Sequence, residues 1–129
     1  MSAFPAITRE PVTWYRGDTL EDVYFITEET TGDAVDLTGA TFRAQVRSSA
    51  NEVLASFDSE VDPATIAVDA TAGKITLRQS AATTAGWGWE HGTLDIEQRG
   101  PGTDIDGELK VRTLTKLPVV LVRDVTRAS

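Results

Sequence analysis

The chain has no cysteine, a single histidine and no long hydrophobic run. Without cysteine, disulfides and thiolate metal sites are excluded. One histidine is also a poor basis for a zinc site or for acyl-transfer catalysis, since each needs several convergent groups. The longest apolar stretch, LPVVLV, is far too short to cross a membrane. We therefore expect no enzyme, no cofactor, no metal and no membrane insertion, and the N-terminus lacks the pattern of a signal peptide.

Positive charge is scarce, with 12 basic against 20 acidic residues and a net charge of −8. This balance argues against nucleic acid as a partner, because such binding depends largely on phosphate neutralisation. Five of the basic residues lie in residues 109–129, beside one acid, while the middle of the chain is strongly acidic. Basic ends on an acidic body suit head-to-tail contacts between copies or neighbours, although charges more commonly just solvate sheet faces.

Apolar and polar residues alternate with a period of two along most of the chain. In ATFRAQVRS, apolar Phe42, Ala44 and Val46 alternate with polar residues, which indicates a half-buried strand. Short segments of this type, separated by Gly, Asp and Pro turns, predict about nine strands and an all-β sandwich. The candidate strands are 12–16, 22–27, 40–48, 53–58, 65–69, 74–78, 93–98, 108–114 and 119–125.

One segment breaks this period and predicts a short helix near residues 80–87, with Ser80 as its N-cap and Gly86 at its end. We expect residues 1–11 to form an extended N-terminal arm and residues 12–129 to form a single sandwich domain. Pro118 indicates an edge strand or the start of a strand.

The alternating faces also predict a core of large apolar side chains. Its candidates are Val23, Phe25, Leu37, Phe42, Ala44, Val46, Val53, Phe57, Ile66, Val68, Ile75, Leu77, Leu94, Ile96, Leu109, Val111, Leu114, Val120 and Val122.

The stretch TAGWGWEHGTLD contains two of the three tryptophans and the histidine. Trp87 and Trp89 on the surface would form a stacking platform for a sugar, with His91 or Glu90 bonding its hydroxyls. Alternatively, Trp87 closes the helix onto the end of the sandwich, while Gly88 and Gly92 let the chain bend into the next strand. The second interpretation is favoured, because an aromatic pair beside glycines is a weak functional signal and buried tryptophan is common.

Two short acidic motifs are predicted to be turns. RGDT at 16–19 matches an integrin tripeptide only in its letters, and Gly17 and Asp18 suit a turn into a strand. DIDGE at 104–108 has too few ligands for a calcium loop, and its DG pair indicates a hairpin tip.

The order of several motifs is more specific than any one of them. The chain runs through YRGDTLEDVYFIT, VDLTGATFRAQVR, AGKITLRQSAATTAGW, GTLDIEQ, DGELKVRTL and VVLVRDVTR. This order resembles small tail and baseplate proteins of tailed bacteriophages, and it is similar to the immunoglobulin-like N-terminal domain of phage baseplate upper proteins. The resemblance spans about residues 12–127, and its landmarks are DLTGA at Asp36–Ala40, Gly73 before a strand, DIE and the terminal VTR.

The resemblance implies an immunoglobulin-like antiparallel β-sandwich that serves as a virion structural protein and has no catalytic residues. Thr93 departs from it, since a large aromatic is expected at that position. Baseplate upper proteins often continue into a coiled coil or receptor-binding domain, for which this sequence leaves no room. An adaptor or accessory role in the tail tip, baseplate or tail fibre is therefore expected.

The expected partners are other virion proteins and further copies of the chain in a symmetric assembly, made in the host cytoplasm and located in the tail region of the virion. The arm or an edge strand would add to a neighbour's sheet. The candidate contact residues are Phe4, Ile7 and Arg9 in the arm and Arg123 and Arg127 at the other end. Two alternatives stay open: a carbohydrate-binding module that contacts the host surface through Trp87 and Trp89, and a head decoration protein.

Overall fold

A computed structural model describes residues 5–6, 12–28 and 30–123. Most of this chain is extended, as the period of two predicts. The elements are β1 (Pro5–Ala6), β2 (Val12–Tyr15), β3 (Leu20–Phe25), β4 (Thr27–Glu28), β5 (Thr41–Arg47), β6 (Val53–Asp58), β7 (Ile66–Asp69), β8 (Lys74–Gln79), α1 (Ala81–Ala85), β9 (His91–Thr103) and β10 (Leu109–Val122). The predicted all-β class is confirmed.

The strands form a five-stranded sheet, in the order β2-β10-β9-β5-β6, and a three-stranded sheet, in the order β3-β8-β7. In immunoglobulin lettering these are A′-G-F-C-C′ and B-E-D, the arrangement of a variable-type sandwich. The pairs are antiparallel except β2 with β10, which run parallel, so the expectation of a purely antiparallel sandwich needs this correction. The order of the strands confirms an immunoglobulin-like sandwich.

Part of the predicted arm lies in a small sheet. Strand β1 pairs with β4, with Pro5 opposite Glu28 and Ala6 opposite Thr27. Strand β4 follows β3 after Ile26 alone. The described part of the arm is therefore extended, as expected, and is attached to the chain just beyond the three-stranded sheet.

The single helix α1 joins the two sheets, because it follows β8 of one sheet and precedes β9 of the other. The Ser80 Oγ accepts a hydrogen bond from the Thr83 N–H at 3.1 Å, so Ser80 is the N-cap as predicted. Gly86 ends the helix, again as predicted. Its φ is −82°, so this position does not use the left-handed freedom of glycine.

The core lies between the two sheets and contains many of the predicted side chains. Those confirmed as buried are Leu37, Phe42, Ala44, Val46, Phe57, Ile66, Ile75, Leu77, Leu94, Ile96 and Leu114. The predicted members that are instead exposed are Val23, Phe25, Val53, Val68, Leu109, Val111 and Val120. Val122 is half-buried. The buried side chains missing from the prediction are Val12, Trp14, Leu20, Tyr24, Ile26, Ala55, Leu117, Val119 and Leu121.

The DLTGA segment forms the turn that its residues predict. Leu37 is buried, and Asp36 Oδ1 accepts hydrogen bonds from the backbone N–H of Thr38 at 3.0 Å and from its hydroxyl at 2.7 Å. Gly39 has a φ of 83°, which a residue with a side chain rarely adopts. The turn delivers the chain from the core into β5.

The segments 108–114 and 119–125, predicted as separate strands, belong largely to the single strand β10. Pro118 lies inside it, opposite Thr93 of β9, so it does not begin a strand; nor is β10 an edge strand, since it lies between β2 and β9. The described pairing with β2 starts one residue later, at Val119. A proline is tolerated where its missing N–H is not needed by a neighbouring strand.

Candidate interaction surfaces

The two tryptophans of TAGWGWEHGTLD lie against the core in a cluster of four aromatic rings. Trp87 and Trp89 are partly buried, with ring centroids 5.4 Å apart and planes tilted by 36°. Trp14 lies 6.0 Å from Trp87 and 6.4 Å from Trp89, and Phe57 lies 6.5 Å from Trp87. Trp87 thus covers one end of the core, as the structural interpretation expects.

The polar edges of this cluster differ. The Trp14 indole N–H donates to Asp22 Oδ2 at 2.8 Å, and the Tyr24 hydroxyl donates to the same oxygen at 2.7 Å. The Trp89 carbonyl accepts a bond of 3.0 Å from Arg16, while its own indole N–H is buried without a protein partner. The rings of Trp87 and Trp89 are not coplanar, as a flat platform for a sugar would require. Binding of a glycan there stays a prediction.

The RGDT segment forms a turn beneath the helix. Gly17 has a φ of 91°. The buried hydroxyl of Thr84 in α1 accepts a hydrogen bond from the Gly17 N–H at 3.0 Å and donates one to the Asp18 carbonyl at 2.7 Å. The turn is therefore tied to α1, and its tripeptide has a structural role that the spacing of the sequence does not reveal.

The histidine belongs to no metal-binding group in the described part of the chain. His91 is exposed at the start of β9, opposite Val120 of β10. Across the described ranges, no group of three or more His, Asp or Glu side chains has the geometry to hold a metal ion. His91 is thus placed at the rim of the five-stranded sheet.

Of the five residues predicted to contact partners, only Arg123 lies within the described part of the chain. It is exposed and directly follows β10. Phe4, Ile7, Arg9 and Arg127 lie outside the described residues. The roles of all five therefore stay predictions.

The outer face of the five-stranded sheet holds a depression of about 410 Å³. Its charged lining comes from the four adjacent strands β6, β5, β9 and β10. The charged side chains are Arg43, Arg47, Asp58, Asp95, Glu97, Arg99 and Lys116. Sequence reasoning did not identify this group, because its members lie far apart along the chain. Their alternation with buried residues on β5 and β9 was the available signal, since it assigns them to one outer face.

Ion pairs in this depression join partly exposed side chains, with carboxylates that are about one-third exposed. Arg43 Nε lies 3.4 Å from Asp58 Oδ2, and Lys116 Nζ lies 3.9 Å from Asp95 Oδ1. Arg99 pairs with Glu97 on its own strand at 3.1 Å. Such exposed pairs contribute little to stability, about 0–1 kcal/mol each, so their partners exchange readily.

Beyond the sheet, β9 and β10 continue as a hairpin. The pairing of β9 with β5 ends at Arg99, whereas its pairing with β10 continues to Thr103 and Leu109. At the tip, Asp104 N–H donates to the Glu108 carbonyl at 2.8 Å, and Ile105 is 100% exposed. The predicted hairpin tip at 104–108 is confirmed, and it projects from the sandwich.

Side chains form hydrogen bonds with backbone groups of the edge strand β6 and of the residues near it. Gln79 donates its amide N–H to the Ser56 carbonyl at 3.2 Å, and Thr65 bonds both backbone groups of Asp58. Arg78 similarly donates to the Ala64 carbonyl at 2.6 Å. These bonds leave fewer groups with which a neighbour's strand can pair.

The immunoglobulin-like sandwich is the class to which the described fold belongs. No family model matches the sequence, and no match was found among curated proteins. Among the described residues there is no helix of the length and apolarity needed to traverse a bilayer. The sandwich, its sheet-face depression and its projecting hairpin are therefore the basis for a functional proposal.

Proposed function

We propose that this protein is a non-enzymatic structural component of a tailed bacteriophage virion, which packs as an adaptor or accessory protein in the tail tip, baseplate or tail fibre. The order of motifs from YRGDTLEDVYFIT to VVLVRDVTR supports this assignment through its resemblance to phage tail and baseplate proteins. The immunoglobulin-like strand order agrees with the fold that the resemblance implies.

The projecting hairpin is the observation that carries the proposal. Ile105 at its tip is fully exposed, and Leu109 and Val111 on its stem are each about half exposed. Several large apolar side chains on one protruding element are costly to leave in water and are typical of a contact with another protein. A module that packs against neighbouring virion proteins would bury them.

The arm offers a second contact. Its described segment, Pro5–Ala6, is extended and pairs with β4, and an extended segment is what strand addition to a neighbour's sheet uses. Phe4, Ile7 and Arg9 would make that contact, and Arg123 and Arg127 would make another at the opposite end of the chain.

Purified virions of the phage that encodes the chain test the proposal. We expect mass spectrometry to find the protein in the particles at several copies, in the tail fraction. A variant without residues 1–11 should still fold, because every described strand of the five-stranded and three-stranded sheets lies beyond residue 11, but it should no longer enter particles.

A full-length variant expressed from the same plasmid is the control for that deletion. Absence of the protein from purified virions would overturn the proposed function. Normal incorporation of the folded deletion variant would overturn only the role of the arm.

A further inference from the structure

We propose that the tip of the β9–β10 hairpin of one copy docks into the depression on the five-stranded sheet of a second copy. This inference deepens the proposed function, since it rests on a packing role and names the partner surface. The tip and the depression are different surfaces of the molecule, so the contact is heterologous and joins copies head to tail.

The tip has the chemistry of an acidic ligand. Residues 104–108 include Asp104, Asp106 and Glu108 and no basic residue, with Ile105 between them. Asp104 Oδ1 accepts hydrogen bonds from the backbone N–H groups of Asp106 at 2.9 Å and Glu108 at 3.2 Å. These bonds order the tip before it meets a partner, so less conformational entropy is lost on docking.

The depression has the chemistry of a receptor for such a tip. Its lining carries four basic side chains, Arg43, Arg47, Arg99 and Lys116, against three acidic ones, Asp58, Asp95 and Glu97, so it is net positive in a chain whose net charge is −8. Arg47 donates to Gln45 and Asn51, which are both neutral, and so keeps its full charge for an incoming carboxylate. Arginine recognises carboxylates in a bidentate manner.

Two further basic groups, those of Arg43 and Lys116, are available for exchange. The side chains of Arg43 and Lys116 are 55% and 69% exposed, and their ion pairs are 3.4 Å and 3.9 Å long. An arriving Asp or Glu can therefore share or replace these partners at little cost. The aliphatic stems of the same side chains provide apolar walls against which Ile105 can pack.

The hairpin cannot fill the depression of its own molecule in this conformation. Arg99 lines the depression, and the hairpin leaves the sheet just beyond it. Residues 101–112 are all exposed and none of them lines the depression, so neither stem folds back on the face. A second copy supplies the same acidic tip in any orientation, and repetition of the contact gives a closed ring or a filament.

Reciprocal charge reversal tests the contact. One variant combines Asp106→Lys with Glu108→Lys, which keeps the Asp104 bonds of the turn, and the other combines Arg43→Glu with Arg47→Glu. In analytical ultracentrifugation at low salt, we expect the unaltered chain to form species of several times 13.9 kDa and each variant alone to remain monomeric. An equal mixture of the two variants should assemble again, because each reversed surface meets its complement.

Glu21→Lys with Asp69→Lys, on the three-stranded sheet, is the matched control: it makes the same change in net charge as the hairpin variant and should leave assembly intact. Circular dichroism verifies that every variant is folded. A monomeric unaltered chain at ~100 µM, a weak-affinity threshold, or an equal mixture that stays monomeric would overturn the inference.

The outcome is separable from that of the proposed function. A chain that is monomeric in solution but present in virions overturns this contact and leaves the proposed function standing. If loss from virions then follows from Arg43→Glu with Arg47→Glu, an acidic segment of another protein occupies the depression. A chain that assembles by charge complementarity but is absent from virions overturns the proposed function and leaves this contact standing.

Discussion

At the scale of single residues, two glycines that flank the same tryptophan have different importance. An alanine methyl group at Gly92 would overlap Val46 Cγ1 and would lie 3.2 Å from the Arg47 carbonyl oxygen. The same group at Gly88 would meet nothing within 4 Å. Only Gly92 is required, because β9 passes close to β5 there, whereas Gly88 is a tolerant bend.

We therefore expect Gly92→Ala to lower the free energy of unfolding by about 1–3 kcal/mol, the usual cost of overpacking. Gly88→Ala is the control, with an expected change of at most ~0.5–1 kcal/mol, in the stabilising direction if the unfolded chain loses freedom. Urea unfolding of both variants measures the difference. Equal effects would show that the approach of β9 to β5 is looser than the structure describes.

The stability that the DLTGA turn contributes depends on pH through the carboxyl group of Asp36. The hydrogen bonds from the hydroxyl and the backbone N–H of Thr38 hold the pKa of the Asp36 carboxyl below its ordinary value of 3.8. A carboxylate with a lowered pKa stabilises the fold above the unfolded pKa, and this stabilisation disappears as the pH falls through the folded value.

In the Asp36→Asn variant we expect a weaker loss of stability on acidification below about pH 4, the range in which aspartate titrates. Thr38→Val should also weaken this dependence, since it removes the hydroxyl donor, and Asp69→Asn on an exposed strand is the control. Unfolding free energies measured along a pH series provide the comparison. An unchanged acid slope in Asp36→Asn would contradict the assignment.

At the scale of elements, a short helix is held to the sandwich by one hydroxyl. A five-residue helix has too few turns to be stable alone, so α1 depends on its tertiary contacts. Thr84 provides two of them, to the backbone of Gly17 and Asp18, at a position that is almost inaccessible to water. The turn and the helix therefore stabilise each other.

Thr84→Val keeps the shape of the side chain but removes both bonds. We expect it to lower the free energy of unfolding by about 2–4 kcal/mol, because a backbone donor and a backbone acceptor are left buried and unsatisfied. Thr93→Val, on an exposed position of β9, should change stability by less than ~0.5 kcal/mol. Thermal unfolding of the pair measures the contrast, and similar values would refute the role of Thr84.

The strands also show which elements a sequence pattern describes correctly. Alternation in β5 assigned Phe42, Ala44 and Val46 to the core, because its other face is uniformly polar. In β3 each face carries apolar residues and one acid, Glu21 or Asp22, so alternation alone does not tell the inner face from the outer one. Asp22 lies on the inner side, since Trp14 and Tyr24 donate hydrogen bonds to it.

In consequence Tyr24 and Ile26 are buried, while Val23 and Phe25 are 39% and 58% exposed. Strand β10 failed for a different reason. A register shift between Thr113 and Thr115 changes which residues face inward, so Leu117 and Val119 are buried in place of Val120. A bulge of this kind leaves no clear mark in a pattern of period two.

At the scale of the whole molecule, the two sheets share a single core. The buried side chains of both sheets form one cluster, and the aromatic cluster of Trp14, Phe57, Trp87 and Trp89 packs at its end. Neither sheet can keep its inner face dry without the other, so the domain should unfold in one step.

We expect unfolding curves from tryptophan fluorescence and from far-ultraviolet circular dichroism to coincide in urea. The fluorescence reports the aromatic end, and the dichroism reports the strands throughout. The Trp89→Phe variant, which keeps a ring at the periphery of the cluster, should alter the fluorescence signal more than the agreement of the curves. Separate midpoints for the unaltered chain would show that the two sheets unfold independently.

The amino-acid sequence alone specifies the all-β class, the position and caps of α1, the DLTGA turn and the hairpin tip at 104–108. These features depend on local chemistry: alternation, hydroxyl caps and glycine or aspartate turns act between residues close in the chain. Only the tertiary structure decided the faces of β3 and β10, the hydrogen bonds of Thr84 and the gathering of Arg43, Arg47, Arg99 and Lys116 around one depression. Each of these depends on strands that are distant in sequence and meet only when the sheets are assembled.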